Sequence, residues 1–116
     1  MSAPYIEDYD FGHIVIDGER HEEDVIILPD RVIGNWWRDE GHTLKREDLD
    51  AVFEADVEVL VVGQGAYGRM AVPQETRQAL EAAGIEVMAQ ETDGACQTYN
   101  RLREKGNVAA ALHLTC

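Results

Sequence analysis

A chain of 116 residues suits one domain, 1–116, and its 45% hydrophobic and 28% charged composition excludes the disordered and fibrous classes. Acids number 23 against 10 Lys plus Arg, a formal charge of −13, and that field repels nucleic-acid phosphates and anionic lipid alike. No run approaches the ~20 apolar residues of a membrane helix, so neither nucleic-acid binding nor membrane insertion is expected.

In chain order, Met1-Ser-Ala-Pro-Tyr-Ile-Glu-Asp has neither a basic n-region nor an apolar h-region, which predicts a cytoplasmic protein. Cys96 and Cys116 are too few for a disulfide framework and agree with a reducing compartment. Phe11–Ile16 is an apolar run closed by Asp17-Gly18, a dipeptide suited to a type I′ turn with two positive φ angles. The return arm passes through Glu19–Asp24 into Val25–Leu28, where Pro29 stops it, so a hairpin opens the domain. Val32–Thr43 shows no clear period. Glu47–Ala55 reads as a short helix with Leu49, Val52 and Phe53 on one face. Val57–Val62 reads as a buried strand. Pro73 suits the first position of a helix that runs to Gly84 and buries Thr76, Leu80 and Ala83. Ile85–Ala89 is the next strand. Thr92 or Asp93 caps a third helix carrying Ala95, Tyr99 and Leu102 on one face. Val108–Leu114, rich in alanine, is the last strand and predicts a helix packed close over it. This half is β-α-β-α-β, a parallel or mostly parallel unit with right-handed crossovers.

Gly63-Gln64-Gly65-Ala66-Tyr67-Gly68 matches G-x-G-x-x-G directly after a strand, with Glu91 placed to hold a ribose. Arg69–Pro73 intervenes before the next helix, however, so the amides and glycines do not converge on one phosphate, and a tight turn is the better reading. A softer expectation survives. The loops Gly63–Gly68 and Glu91–Gly94 share one sheet edge, and Gly63, Gly65, Arg69, Thr92, Asp93 and Cys96 could together hold a small anionic ligand.

No metal site is assigned, because His113, Cys116 and His42 lack zinc-ligand spacing; His113 is expected to be hydrogen-bonded in the sheet. Cys96 in the first turn of a helix has the dipole to become a thiolate but no assigned base, and the competing expectation is a buried apolar thiol. No catalytic residue and no cofactor is assigned. Trp36-Trp37-Arg38, with His42, is a candidate recognition segment, since Trp and Arg are enriched at interaction hot spots. In an extended segment one Trp faces the core and the other the surface.

The ordered features Tyr9-Asp-Phe11-Gly12, Trp37-Arg38 with Gly41-His42, Leu60-Val-Val-Gly63-Gln-Gly65, Thr92, Ala95, Tyr99-Asn100 and His113-Leu-Thr115-Cys116 span essentially the whole chain. Together they resemble the small Mth-type domain family that includes NADH dehydrogenase (complex I) assembly factor 3 and the adipogenesis-associated domain protein. That resemblance implies a three-layer α/β domain with a central mixed sheet of about five strands. It implies no established catalysis, and assembly or regulatory roles in eukaryotic members. The chain departs from those members in its acidity and in showing no transit peptide, so a mitochondrial role does not carry over. The expectation is therefore a cytoplasmic, non-enzymatic interaction module with an unidentified protein partner, monomeric or homodimeric. The alternative is a small-anion or metabolite-binding protein, or an enzyme, sited at the Gly63–Gly68 and Thr92–Cys96 loops.

An acidic chain with only Lys45 and Lys105 as lysines also predicts a salty host cytoplasm, where screening over about 3 Å tames self-repulsion. The melting temperature is expected to rise from low to molar potassium chloride, and an unchanged value rejects adaptation to salt.

Overall fold

Period-two alternation along the central strands divides the buried residues between two cores, one on each face of a five-stranded sheet. A computed structural model describes residues 3–116. Strands β1 (Ile6–Asp10), β2 (His13–Ile16) and β3 (Glu19–His21) form an antiparallel meander. The main sheet contains β4 (Val25–Leu28), β5 (Arg31–Ile33), β6 (Val59–Gln64), β7 (Glu86–Gln90) and β8 (Val108–His113), in the order β5-β4-β8-β6-β7. Strands β8, β6 and β7 run parallel, while β4 lies antiparallel to β8 and β5 antiparallel to β4. A 3-10 turn over Arg46–Leu49 leads into α1 (Asp50–Glu54), and α2 (Gln74–Ala82) and α3 (Thr92–Leu102) complete the fold.

The first core packs Leu44, Leu49, Val52, Met70 and Leu80 on Ile26, Leu60, Val62, Ala109 and Ala111. The second packs the meander and α3, through Ile14, Ile16, Ala95 and Tyr99, on Val25, Ile27, Val61 and Ala110. Helix α3 does pack over β6 and β8, but of the β8 alanines only Ala110 faces it; Ala109 and Ala111 lie in the first core on the opposite face. The domain is thus a three-layer α/β structure with a mixed five-stranded central sheet, as the resemblance implies.

Several local expectations need correction. The opening is a three-stranded meander rather than a hairpin. Asp17 and Gly18 do turn with φ of 49° and 81°, but the return arm leaves β2 after His21 and enters the other sheet as β4. The extra strand β1 is too acidic for its single buried apolar position, Ile6, to show an alternation. The helix expected over Glu47–Ala55 is split into a 3-10 turn and a single α-turn. The strand expected at Val57–Val62 is shifted to Val59–Gln64, and β5 was not foreseen. Pro73 sits one position before α2 rather than within it, and Ala83 is exposed beyond its end. Neither Thr92 nor Asp93 caps α3. Glu91 occupies that position, and the Thr92 hydroxyl is turned inward.

Tyr99-Asn100 joins the layers. The Tyr99 hydroxyl donates to Pro4 O at 2.7 Å, and Asn100 bonds the Ile6 backbone twice, accepting from its N–H at 3.0 Å and donating to its carbonyl at 2.7 Å. One amide side chain thereby serves β1 as a neighbouring strand would. Asn100→Ala leaves both groups unpaired, and the expected loss is about 1–3 kcal/mol in urea unfolding with an unchanged m-value.

Candidate functional site

The segment between β5 and the 3-10 turn has no regular structure, yet it is tied down along its length. Trp36 N–H donates to Asp24 O at 2.8 Å, and its indole Nε1–H donates to Asp48 O at 2.9 Å. Farther along, Ala71 N–H donates to His42 O and Leu44 N–H to Ala71 O. These anchors make Trp36 part of the core, 8% exposed, and leave its neighbour Trp37 78% exposed. Alternation in an extended segment produces that split.

Arg38 is buried, with only 8% exposure. Its Nη1–H donates to Asp24 Oδ2 at 2.6 Å and its Nη2–H to Gly41 O at 2.9 Å, while the guanidinium stacks 4.9 Å from the Trp36 ring centroid. Asp24 also accepts from Leu114 N–H at 2.8 Å through Oδ1. His113 Nδ1 lies 2.8 Å from Asp24 Oδ2 and 3.0 Å from Arg38 Nη2. One ring nitrogen cannot both donate and accept. Because the Asp24 carboxylate can only accept, the ring nitrogen 2.8 Å from it carries the proton, and Nδ1–H donation to Oδ2 is the assignment that satisfies the cluster. Within the described residues, His113 Nε2 and Arg38 Nε have no hydrogen-bond partner. His42 is exposed, its ring 6.1 Å from that of His113 and nearly perpendicular to it.

Burial alone would raise the Asp24 carboxyl. Hydrogen bonds from His113, Leu114 and Arg38 outweigh burial and hold it below its ordinary value. Around this cluster lies a cleft of about 250 Å³, walled by Trp36, Arg38, Gly41, Leu114 and Thr115 and rimmed by Trp37, Glu22 and Glu23. The acid knot of residues 22–24 is therefore divided. Glu22 and Glu23 coat the surface, whereas Asp24 turns inward.

The glycine loop is packed against its own protein. A Cβ on Gly63 would lie 2.9 Å from both Leu112 Cδ2 and Thr92 Oγ1. On Gly65, at φ +98°, it would meet Thr115 O at 2.7 Å and His113 Cδ2 at 2.9 Å. Gly65 N–H donates to Thr92 Oγ1, Ala66 N–H to Thr115 O and Gly68 N–H to Gly65 O. The Thr92 hydroxyl in turn donates to His113 O at 2.6 Å. Arg69 and Asp93 are exposed, with Arg69 stacked 5.7 Å from the Tyr67 ring, and Cys96 is buried. The structure thus brings Gly63, Gly65 and Thr92 together and leaves Arg69 and Asp93 at the surface. Sequence alone does not single out Asp24, and it expects His113 as a hydrogen-bonded residue of the sheet without naming its partner. Their signal, an acid beside a buried strand and a histidine closing another, becomes legible only once β4 and β8 pair.

Burial, and then the Asp93 carboxylate, push the Cys96 thiol up to about 12, so helix position does not make it a thiolate. Among the described residues no group of three or more His, Cys, Asp or Glu side chains is arranged to hold a metal ion.

The family described as "Protein of unknown function (DUF498/DUF598)" matches residues 6–113. Over 112 residues the chain is 32% identical to the human protein named NADH dehydrogenase [ubiquinone] 1 alpha subcomplex assembly factor 3, a match covering 94% of this chain and 59% of that one. The chain thus spans about three-fifths of the length of that relative. A conserved hypothetical protein from Pyrococcus horikoshii has the same fold at a TM-score of 0.84 and 29% identity, covering 96% of this chain and 98% of that one. A Mth938-like domain from Bordetella pertussis matches at a TM-score of 0.77 and 23% identity, over 96% of this chain and 85% of that one, and bears on the fold alone.

The folded-state pKa of Asp24 lies below its unfolded value near 4, so its stabilising contribution is complete above about pH 4 and is lost as pH falls through the folded value. Asp24→Asn is expected to lower the urea midpoint at pH 7, with the gap from the wild type narrowing as pH falls below about 4. For the cysteines, iodoacetamide at mildly alkaline pH is expected to modify half-buried Cys116 first and Cys96 only after unfolding. Rapid native labelling of Cys96 would reject the buried thiol.

Proposed function

We propose that this chain, which belongs to the DUF498/DUF598 family of proteins of unknown function, is a non-enzymatic interaction module of the cytoplasm, monomeric or homodimeric, that serves the assembly or regulation of a larger protein complex. The observation that carries this reading is Trp37, 78% exposed on a segment whose neighbours are locked into the core. A large aromatic side chain has few rotatable bonds, and with the residues on both sides anchored it loses little conformational entropy on binding, which is how hot-spot residues act. Support also comes from the relative named as an assembly factor. Two free cysteines agree with a reducing compartment. Within the candidate interaction segment, Trp37 and His42 offer the accessible surface, while Trp36 and Arg38 hold it in place.

A small-anion or metabolite site on loops 63–68 and 92–96, using Arg69, Thr92, Asp93 and Cys96, would find the Gly65, Ala66, Gly68 and Thr92 amides already bonded inside the protein. The aromatic surface is accordingly the stronger reading.

Because Trp36 is core, the informative substitution is Trp37→Ala alone, expected to alter stability by no more than about 0.5 kcal/mol. Tagged wild-type protein is expected to retain a stoichiometric partner that Trp37→Ala releases. Equal retention by both, with matched melting temperatures, rejects the Trp37 surface.

A further inference from the structure

Among the described residues, four large apolar side chains are exposed: Tyr5, Phe11, Trp37 and Tyr67. Three of them sit on segments that meet at the tail following β8. Gly12 N–H donates to Leu114 O at 3.0 Å, which places the Phe11 turn beside the tail. Ala66 N–H donates to Thr115 O at 2.9 Å, which brings the Tyr67 loop against its other side. Trp37 lines the same cleft as Leu114 and Thr115. Aromatics gathered at one end of a domain mark an interaction surface rather than scattered surface apolarity.

The charge of that surface narrows the occupant. Arg38, the cation of the cleft, is neutralised by Asp24 at 2.6 Å and contributes little outward field. Glu22 and Glu23 on the rim remain. Glu22 is met by Arg20 at 3.1 Å, but both side chains are largely solvent-exposed, and such pairs exchange at little cost. Two carboxylates beside an open indole face are the surroundings in which a cation is held by charge and by the ring quadrupole together. The cleft, about 250 Å³, falls below the ~300–1,000 Å³ usual for drug-sized ligands, so it suits one long side chain.

We propose that this cleft docks a basic peptide segment of a protein partner, with one Lys or Arg stacked on Trp37 and paired with Glu22 and Glu23. The proposal rests on the interaction-module reading and specifies the chemistry of the partner.

The test uses the whole chain, ¹⁵N-labelled, titrated at low salt with acetyl-hexa-arginine amide. The two indole signals serve as internal controls for each other, since Trp36 Nε1–H is bound to Asp48 O and Trp37 is open. The Trp37 indole is expected to shift saturably while the Trp36 indole stays put. With a fluorescent form of the same peptide, Glu22→Gln/Glu23→Gln is expected to weaken binding about tenfold and Trp37→Ala about threefold or more. The exposed α2 pair Glu75→Gln/Glu81→Gln removes the same charge elsewhere and is expected to change affinity less than about twofold. An unmoved Trp37 indole, or equal losses from the two Glu pairs, overturns the proposal. Loss of the captured partner in Trp37→Ala together with an unmoved indole retains the interaction module and rejects only its basic partner. An indole that shifts while capture is indifferent to Trp37 does the reverse.

Discussion

Asp24 stands where the N-terminal meander hands the chain to the main sheet, and its contacts join segments up to 90 residues apart. Its carbonyl holds Trp36, one carboxylate oxygen holds the Leu114 amide, and the other draws in Arg38 and His113. A buried ion pair adds little net stability over a well-packed apolar substitute, because desolvation offsets the attraction. It is nonetheless directional, and losing one member leaves an uncompensated charge, so it selects one placement of the irregular segment over others. Trp37 is presented outward because Trp36 and Arg38 on either side of it are held inward.

The tail after β8 depends on the same region from its other side. Gly65 admits Thr115 and His113 only because it has no side chain, and Thr92 links the glycine loop to β8 through a single hydroxyl that accepts from Gly65 N–H and donates to His113 O. A glycine-rich loop after a strand is usually discussed in terms of a phosphate, yet the same missing Cβ permits any close backbone approach. Here the neighbour that benefits is the chain's own C-terminal segment. This also makes Gly65 a poor site for testing ligand binding, since a side chain there disturbs the tail.

The acidity of the chain has two physical roles at this end of the domain. Inside, one carboxylate is spent on the Arg38 and His113 cluster. Outside, its immediate sequence neighbours Glu22 and Glu23 stay solvated beside an open aromatic face. The change from outside to inside occurs over a single peptide unit, where the chain passes from one sheet to the other, so a common backbone step couples the clamp to the surface it presents.

Sequence by itself determined the elements whose signals are local: the Asp17-Gly18 turn, the apolar strands β4, β6 and β8, and the helix ended by Gly84. It also determined, through alternation, that Trp36 and Trp37 would part company. The short elements were illegible for a physical reason. β1 buries one residue and β5 is held by pairing with β4, so neither has a periodicity of its own to read. The inward turn of Thr92 was hidden for another reason: an N-cap hydroxyl and a core-facing hydroxyl use the same residue type at the same place. Tertiary structure alone decided the site. Asp24, Arg38, His113 and Leu114 carry no spacing pattern, and they meet only because β4 pairs antiparallel with β8 and brings the start of one strand to the end of the other. Strand pairing is a long-range choice made by the whole core, and chemistry that depends on it cannot be read from neighbours in the chain.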